Sequence, residues 1–277
     1  MTLPEDFQFS QASLQDYVDC PRRFQLRYVE RVAWPAPEAE LDLANERYLR
    51  QGAAFHRMLH QHLTGIPVER LSRMATDPDL HRWWRNYLND GPDGLPPRRY
   101  PEVLLSAPLA GYRLVAKYDL VALAPGERAV IVDWKTSRKR PSRERLADRL
   151  QTRVYPYLLA RAGRHLAGEA LAPEQVEMVY WFADFPDLPE RFAYDDDRYE
   201  ADEANLRDLI ESIARMTDEV WPLTARQQRC NYCRYRSLCR RGIEAGSLEE
   251  IEAEWDANLD LDDGIDLDFE QIAEIEY

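Results

Sequence analysis

Two acids stand inside apolar runs, and their placement constrains the fold more than any other feature of the chain. Asp119 falls in Tyr118-Asp119-Leu120 and Asp133 in Val132-Asp133-Trp134-Lys135. A lone carboxylate in such a setting costs several kcal/mol unless it is paired or bound to a metal. Side chains two apart on a strand share a face, so Asp133 and Lys135 project together. Asp119 lies on the preceding strand, across Ala124-Pro125-Gly126-Glu127. With a three-residue loop Ala124 pairs with Arg128, residue 119 falls opposite 133, and the two carboxylates meet. A two-residue loop sends them to opposite faces.

The surrounding pattern sets the fold class. Short runs rich in Val, Leu and Tyr predict strands over 100–107, 112–124 and 128–134. A long amphipathic helix is expected over 142–162, then strands over 176–182 and 190–193, then a helix over 199–220. Three strands, a helix and two strands make an α/β core with a mixed β-sheet flanked by helices. The first hundred residues read as helical. Ser10-Gln-Ala-Ser13 caps a short helix, Pro21 opens a second through 28, a Pro-rich link spans 34–37, and the longest helical pattern covers 41–63. Trp83, Trp84, Tyr87 and Leu88 mark another helix, closed by Asn89-Asp-Gly-Pro-Asp-Gly. Its aromatics read as core, with stacking on unpaired bases the alternative.

Charge divides the chain in two. From Glu244 to Tyr277 there are 14 Asp and Glu and no Lys or Arg, which accounts for the whole net charge of −14 and leaves residues 1–243 balanced. Basic residues cluster at Arg22, Arg23, Arg27 and Arg31, at Arg138, Lys139, Arg140, Arg143, Arg145, Arg149 and Arg153, and at Arg226, Arg229, Arg234, Arg236, Arg240 and Arg241. Local density rather than the sum decides whether a phosphate backbone is attracted. Arg22, Arg23, Arg138, Lys139, Arg140, Arg234 and Arg236 are therefore the candidate DNA contacts, with solvated helix faces as the alternative. The domain reading is one unit over 1–243, with a helical portion at about 38–93, and an acidic tail over 244–277 that docks a basic partner, covers the protein's own DNA site, or merely aids solubility.

Two converging carboxylates beside a lysine suit hydrolysis of a phosphodiester: a divalent cation there lowers the pKa of water, and the ammonium offsets developing charge. A structural Asp–Lys ion pair is the simpler reading. Gln151 and Tyr155, four apart, share a helix face, and Gly52-Ala-Ala-Phe-His56 puts an imidazole on the long helix, with His60 on the same face. The set Gly52-x-x-x-His56, Asp119, Asp133-x-Lys135 and Gln151-x-x-x-Tyr155 resembles the RecB-like branch of the PD-(D/E)XK nucleases. The resemblance implies a restriction-endonuclease-like core in which His56, Asp119, Asp133 and the backbone carbonyl of Trp134 hold Mg²⁺ or Mn²⁺. Asp119, Asp133, Lys135, Gln151 and Tyr155 would be the catalytic set, and Glu102 stands near an additional acid of some members. One departure is Ala116, where the family usually has Gly.

All four cysteines fall in one arrangement, Cys20 and then Cys230-x2-Cys233-x5-Cys239. Without a signal peptide, grouped thiols bind metal more often than they form disulfides, and spacing alone leaves zinc and iron–sulfur open. Ser10-x-x-Ser13-Leu14-x-x-Tyr17-x-x-Cys20-Pro21-Arg22-Arg23-Phe24, with three later cysteines, resembles the iron-staple arrangement of RecB-like nucleases, among them the AddB subunit of bacterial helicase–nucleases and the CRISPR-associated adaptation nucleases. It implies a 4Fe-4S cluster on Cys20, Cys230, Cys233 and Cys239 that staples the termini.

The function expected from these features is a Mg²⁺- or Mn²⁺-dependent deoxyribonuclease, an exonuclease on single-stranded DNA or DNA ends, in repair, recombination or CRISPR adaptation. Helicase or CRISPR adaptation proteins are the expected partners. The competing reading is a catalytically silent DNA-end-binding or scaffolding module of a helicase–nuclease complex. No apolar run approaches the roughly 18 residues a membrane helix needs, and Glu5 and Asp6 stand where a signal peptide would be basic. The expected location is cytoplasmic, without membrane contact.

Overall fold

The computed structural model describes residues 3–32, 42–233 and 235–243, with the backbone alone at 42–49 and 232. The Pro-rich link, Arg234 and the acidic tail lie outside them.

A three-residue loop governs the centre of the sheet. Ala124 pairs with Arg128 and Leu120 with Val132, so β3 (Tyr112–Ala124) and β4 (Arg128–Lys135) have the register that an odd-length turn imposes. Gly126 takes a φ of +74° in that turn, a conformation that L side chains resist. On its other edge β3 pairs antiparallel with β2 (Arg98–Leu109) along nearly its whole length. β4 pairs parallel with β5 (Val176–Phe182), and β5 antiparallel with β6 (Phe185–Ala193). One strand was not visible in the pattern. β1 (Gln8–Ser10) runs parallel to β3 at Arg113 to Val115, completing a six-stranded mixed sheet among the described residues. Three residues are too short to show period-two alternation, and so the first hundred residues are not wholly helical.

Helices cover both faces. On one lie α1 (Gln11–Asp19), α7 (Leu150–Ala162) and α8 (Asp196–Ala214), burying Leu14, Val154, Leu158 and Ile210 against Ile131, Met178 and Tyr180. On the other lie α3 (Asp42–Leu63), α4 (Val68–Met74) and α5 (Pro78–Asp90), whose Phe55, Leu71, Trp83 and Trp84 pack on Val130, Val132, Trp134 and Trp181. Each such side chain contributes roughly 1.5–3 kcal/mol when fully buried. Trp83 and Trp84 are core residues, their indole N–H groups donating to Asp184 and Ser72 at 2.9 Å.

The helix expected over 142–162 is broken. After α6 (Arg143–Ala147), the Leu146 carbonyl accepts from the Arg149 N–H and the Thr152 hydroxyl, and the Leu150 N–H turns to Gln15. Arg149 is left extended, and α7 starts afresh with Gln151 in its first turn. The last helix begins at Asp196 rather than 199, because Asp195 caps it by accepting from the Arg198 N–H at 2.8 Å. It ends at Ala214 rather than 220.

The two ends of the described chain meet. α2 (Pro21–Phe24) passes into a π-helical turn at Gln25–Val29. There the Gln25 side chain donates to the Glu219 carbonyl at 2.9 Å and accepts from the Trp221 N–H at 2.8 Å, while Phe24 and Trp221 stack 5.6 Å apart. Buried Asp16 and Asp19 add an ion-pair network with Arg23, Arg27 and Arg229.

Candidate active site

β3 changes partner along one edge. It pairs with β1 near its start and with β4 only from Leu120 onward, so beyond Val132 the two central strands separate. Asp119 occupies that gap. Its Oδ2 accepts the Trp134 N–H at 2.9 Å and its Oδ1 lies 3.1 Å from Nδ1 of His56, brought in by α3. Burial pushes the Asp119 carboxyl up, but the His56 charge and hydrogen bond, the Trp134 N–H and Lys135 outweigh it and hold it below the ordinary range. Burial also pulls His56 down, and Asp119 and Asp133 together raise it above its ordinary value. With Asp119 ionised, the imidazole donates from Nδ1. Its Nε2 is buried and meets no hydrogen-bond partner among the described residues.

Asp133 and Lys135 share a strand face as alternation requires, with the ammonium 2.9 Å from Asp133 Oδ2. Gln151, delivered by the first turn of α7, donates to Asp133 Oδ1 at 2.6 Å and accepts from Lys135 at 3.2 Å. Tyr180, paired with Asp133 across β5, lies under this trio: its ring centroid is 5.7 Å from the ammonium and its hydroxyl 2.8 Å from Thr152 Oγ1. Burial, reinforced by the Asp133 charge, pushes its phenol up, so it stays protonated. Tyr155 lies deeper, 4.9 Å from the Tyr118 ring, and its carbonyl accepts from the Tyr118 hydroxyl at 2.9 Å.

The structure thus joins His56 to Asp119, and Asp133 to Lys135 and Gln151. In kind, the donors suit a hard divalent ion: two carboxylates whose hydrogen-bonded oxygens retain lone pairs, and an imidazole whose Nε2 is open. As placed, they stand in a pair, His56–Asp119, and a neighbouring triangle, Asp133–Lys135–Gln151, and among the described residues no group of three or more His, Cys, Asp or Glu side chains is positioned to hold a metal. Asp119 here orients His56, the arrangement a carboxylate makes behind a metal-binding imidazole.

Cys20 lies within electrostatic reach of Cys233 and Cys239 at the joined ends, but as placed no three of the four thiols form a metal-holding group among the described residues. The Cys233 thiol is pushed up to about 11 by burial, with Cys20 and Cys239 among its charged neighbours. All four cysteines are outside disulfides.

The basic clusters are mostly engaged. Arg22 pairs with Glu30 at 2.7 Å, Arg23 with Asp16 and Asp19, and Arg140 with Glu190. For these three the sequence suggested DNA, and the structure puts their charge on carboxylates. Arg138 and Lys139 are exposed, Arg236 is half-buried, and Arg234 lies outside the described residues. Glu102 pairs with Lys117.

The sequence profile of the PD-(D/E)XK nuclease superfamily matches residues 8–240. The chain belongs to the PD-(D/E)XK nuclease superfamily. That match spans β1 through the last cysteine, so the superfamily domain takes in every described strand, the His56–Asp119 pair and the Asp133–Lys135–Gln151 triangle. Among solved structures, the chain is similar to a candidate exonuclease from Eubacterium rectale, at 10% identity and a TM-score of 0.49 over 89% of this chain and 93% of that one. It is also similar to a protein called SSO0001, at 14% identity and a TM-score of 0.39 over 84% and 85%. No curated protein matches. No helix of the described residues is long and apolar enough to cross a membrane.

Tyr180 and Thr152 were missed from sequence. Tyr180 sits in the apolar run 178–183, where a tyrosine reads as one more strand residue. Only its register against Asp133 sets it apart.

Proposed function

We propose that this superfamily member hydrolyses phosphodiester bonds in DNA, acting on single strands or ends, with Mg²⁺ or Mn²⁺ held by His56, Asp119, Asp133 and the Trp134 carbonyl. The observation that carries the reading is the Asp133–Lys135–Gln151 triangle beside the His56–Asp119 pair, since a scaffold has no need of a lysine fixed between a buried acid and an amide. The bound ion would supply activated water and neutralise phosphate charge. Lys135 orients the attacking water and offsets charge on the phosphoryl oxygens. Gln151 keeps the ammonium and Asp133 in fixed relation, and Tyr155 anchors the helix that presents Gln151. Exposed Arg138 and Lys139, just beyond β4, are the candidate backbone contacts. The test is digestion of labelled single-stranded, 5′-blocked, 3′-blocked and circular DNA with Mn²⁺ or Mg²⁺ beside Lys135→Ala. Products from ends alone support an exonuclease, and no products at any metal concentration end the enzymatic reading.

One observation favours a second reading, a DNA-end-binding or scaffolding module for a helicase or CRISPR adaptation protein. All four carboxylate oxygens of Asp119 and Asp133 are already engaged by donors of the protein. End binding without cleavage in the same assay supports it.

For the cysteines we propose a 4Fe-4S cluster on Cys20, Cys230, Cys233 and Cys239, supported by Cys20 standing among the electrostatic neighbours of Cys233 and Cys239. A brown protein absorbing near 400 nm, a property that zinc does not give, tests it.

A further inference from the structure

The apolar side chains of β2 and β3 change faces at the same level. On β3, Leu114, Ala116 and Tyr118 point to the α7 side, yet so do Val121 and Leu123, while Leu120 and Ala122 join the α3–α5 side. Unbroken alternation forbids this, since 118 and 121 lie an odd number apart. On β2 the same break separates Tyr100 from Val103, both packed on the α7 side. The pairs Tyr100↔Val121 and Val103↔Tyr118 nevertheless keep one register, so one residue of each strand is absorbed at the same place. Those residues are Glu102 and Asp119, the position skipped in the ladder between Pro101↔Leu120 and Val103↔Tyr118. Glu102 has a φ of +53°, a left-handed backbone that non-glycine residues adopt only under constraint.

We propose that Glu102 is a positioning residue: its left-handed backbone creates the paired face switch that turns the Asp119 carboxylate out of the sheet faces and into the gap between His56 and the Trp134 N–H. Alternation continued back from the β4-paired half of β3 would point residue 119 to the α7 side with Val121 and Leu123, away from α3, which carries His56; the face switch lets it alternate with Tyr118 onto the opposite side instead. The Glu102–Lys117 ion pair braces the bend without making it. The functional consequence rests on reading Asp119 as part of a nuclease site, but the geometric claim does not.

Three variants separate backbone from side chain. Glu102→Gly accepts positive φ and loses the carboxylate; Lys117→Gln loses only the ion pair; Glu102→Val, β-branched, resists positive φ. The first readout is hydrogen exchange at the Trp134 amide, which is protected by Asp119. Protection is expected to persist in Glu102→Gly and Lys117→Gln, and to fall by about tenfold or more in Glu102→Val, with Val130 and Ile131 unchanged. Should Glu102→Val fail to fold, Glu102→Gly decides: Trp134 protection equal to or above wild type supports the proposal, and reduced protection overturns it. The second readout is Mn²⁺-dependent cleavage, where Glu102→Val should lower kcat at unchanged KM and Glu102→Gly should restore it. A wild-type protein that cuts nothing ends the nuclease reading and leaves the exchange result to decide this one. Unaltered Trp134 protection in folded Glu102→Val overturns it.

Discussion

The Lys135 ammonium is held 2.9 Å from Asp133 Oδ2 and 3.2 Å from the Gln151 amide oxygen, while the nitrogen of that amide donates to the other oxygen of Asp133 at 2.6 Å. One side chain therefore fixes both the acid and the ammonium, and neither rotates without breaking a bond at the other. Lys135→Ala leaves Asp133 bonded to Gln151 but without its counter-charge, so it should cost stability while the acid stays in place. Cleavage should fall by roughly 10²–10³-fold with little change in DNA affinity, the size of effect seen when a preorganised charge-stabilising donor is removed. Lys135→Arg should not rescue it, because a planar guanidinium cannot occupy the place of a compact ammonium. Single-turnover cleavage, with circular dichroism as the folding control, checks both.

Gln151 offers a sharper test, since its two amide ends do opposite work. Gln151→Leu removes the donor to Asp133 and the acceptor for Lys135 together, and should destabilise the protein by about 1–3 kcal/mol. Gln151→Glu keeps an acceptor for Lys135 but sets an oxygen against Asp133 where a nitrogen donated. Two carboxylates at that separation cannot both stay ionised, so this isosteric change should lower activity at neutral pH at least as far as Gln151→Leu. Urea denaturation and cleavage rates of the two variants, measured side by side, decide it.

How much of this was legible depends on the range of each interaction. Asp133 and Lys135 announced themselves as charges in an apolar strand, and the Pro125-Gly126-Glu127 loop predicts the register that the structure shows between Ala124 and Arg128. Gln151 followed from helical spacing. The argument failed at Asp119, which meets the site through a face switch rather than plain alternation, because the left-handed backbone of Glu102 leaves no mark on residue type. β1 escaped because its pairing is with a strand a hundred residues away. The arginines near Cys20 read as DNA contacts because their partners, Glu30 for Arg22 and Asp16 and Asp19 for Arg23, look like ordinary polar positions in the sequence.

Asp184 sits 2.9 Å from both the Trp83 indole N–H and Arg82 Nε. Trp83 is fully buried, so Asp184→Ala strands an indole donor in the core and should cost about 1–3 kcal/mol. Trp83→Ala should cost more, about 3–5 kcal/mol. If Trp83 is a core residue, the folded fraction of either variant binds single-stranded DNA as the wild type does. Chemical denaturation with anisotropy on an oligonucleotide separates packing from base stacking.

Asp202 gives a pH dependence with a definite sign. It is largely buried and accepts the Tyr194 hydroxyl at 3.1 Å, and burial raises its carboxyl above the ordinary 3.8 despite that bond. Because the folded value is the higher one, the unfolded chain releases this proton first as pH rises. Its contribution is fully present below 3.8 and is lost as pH climbs through the raised folded value. Asp202→Asn does not titrate. The melting temperature of wild type minus that of Asp202→Asn should therefore fall as pH rises from below 3.8 towards neutrality, and level off once Asp202 is ionised in both states. A difference that rises over that window contradicts the assignment.

The joined termini hold two separable devices. Asp19 is buried between Arg23 and Arg229, an ion-pair set that draws residues 16–27 against the segment carrying Cys230, Cys233 and Cys239. Removing one member of a buried charged set leaves its partners uncompensated, so Asp19→Asn should cost about 3–5 kcal/mol. That loss should be the same whether or not the cysteines are ligated, and nearly independent of salt. Ligation of the thiols acts through the unfolded chain, where closing a loop of more than two hundred residues is worth about 5–6 kcal/mol in the chain-entropy picture. Cys20→Ser should therefore be nearly neutral in chelator-treated protein and strongly destabilising in reconstituted protein. Denaturant titrations of both variants, each with and without the cluster, give four numbers. An Asp19→Asn effect that vanishes on reconstitution would mean that ligation alone holds the ends together, and that the buried ion pairs merely accompany it.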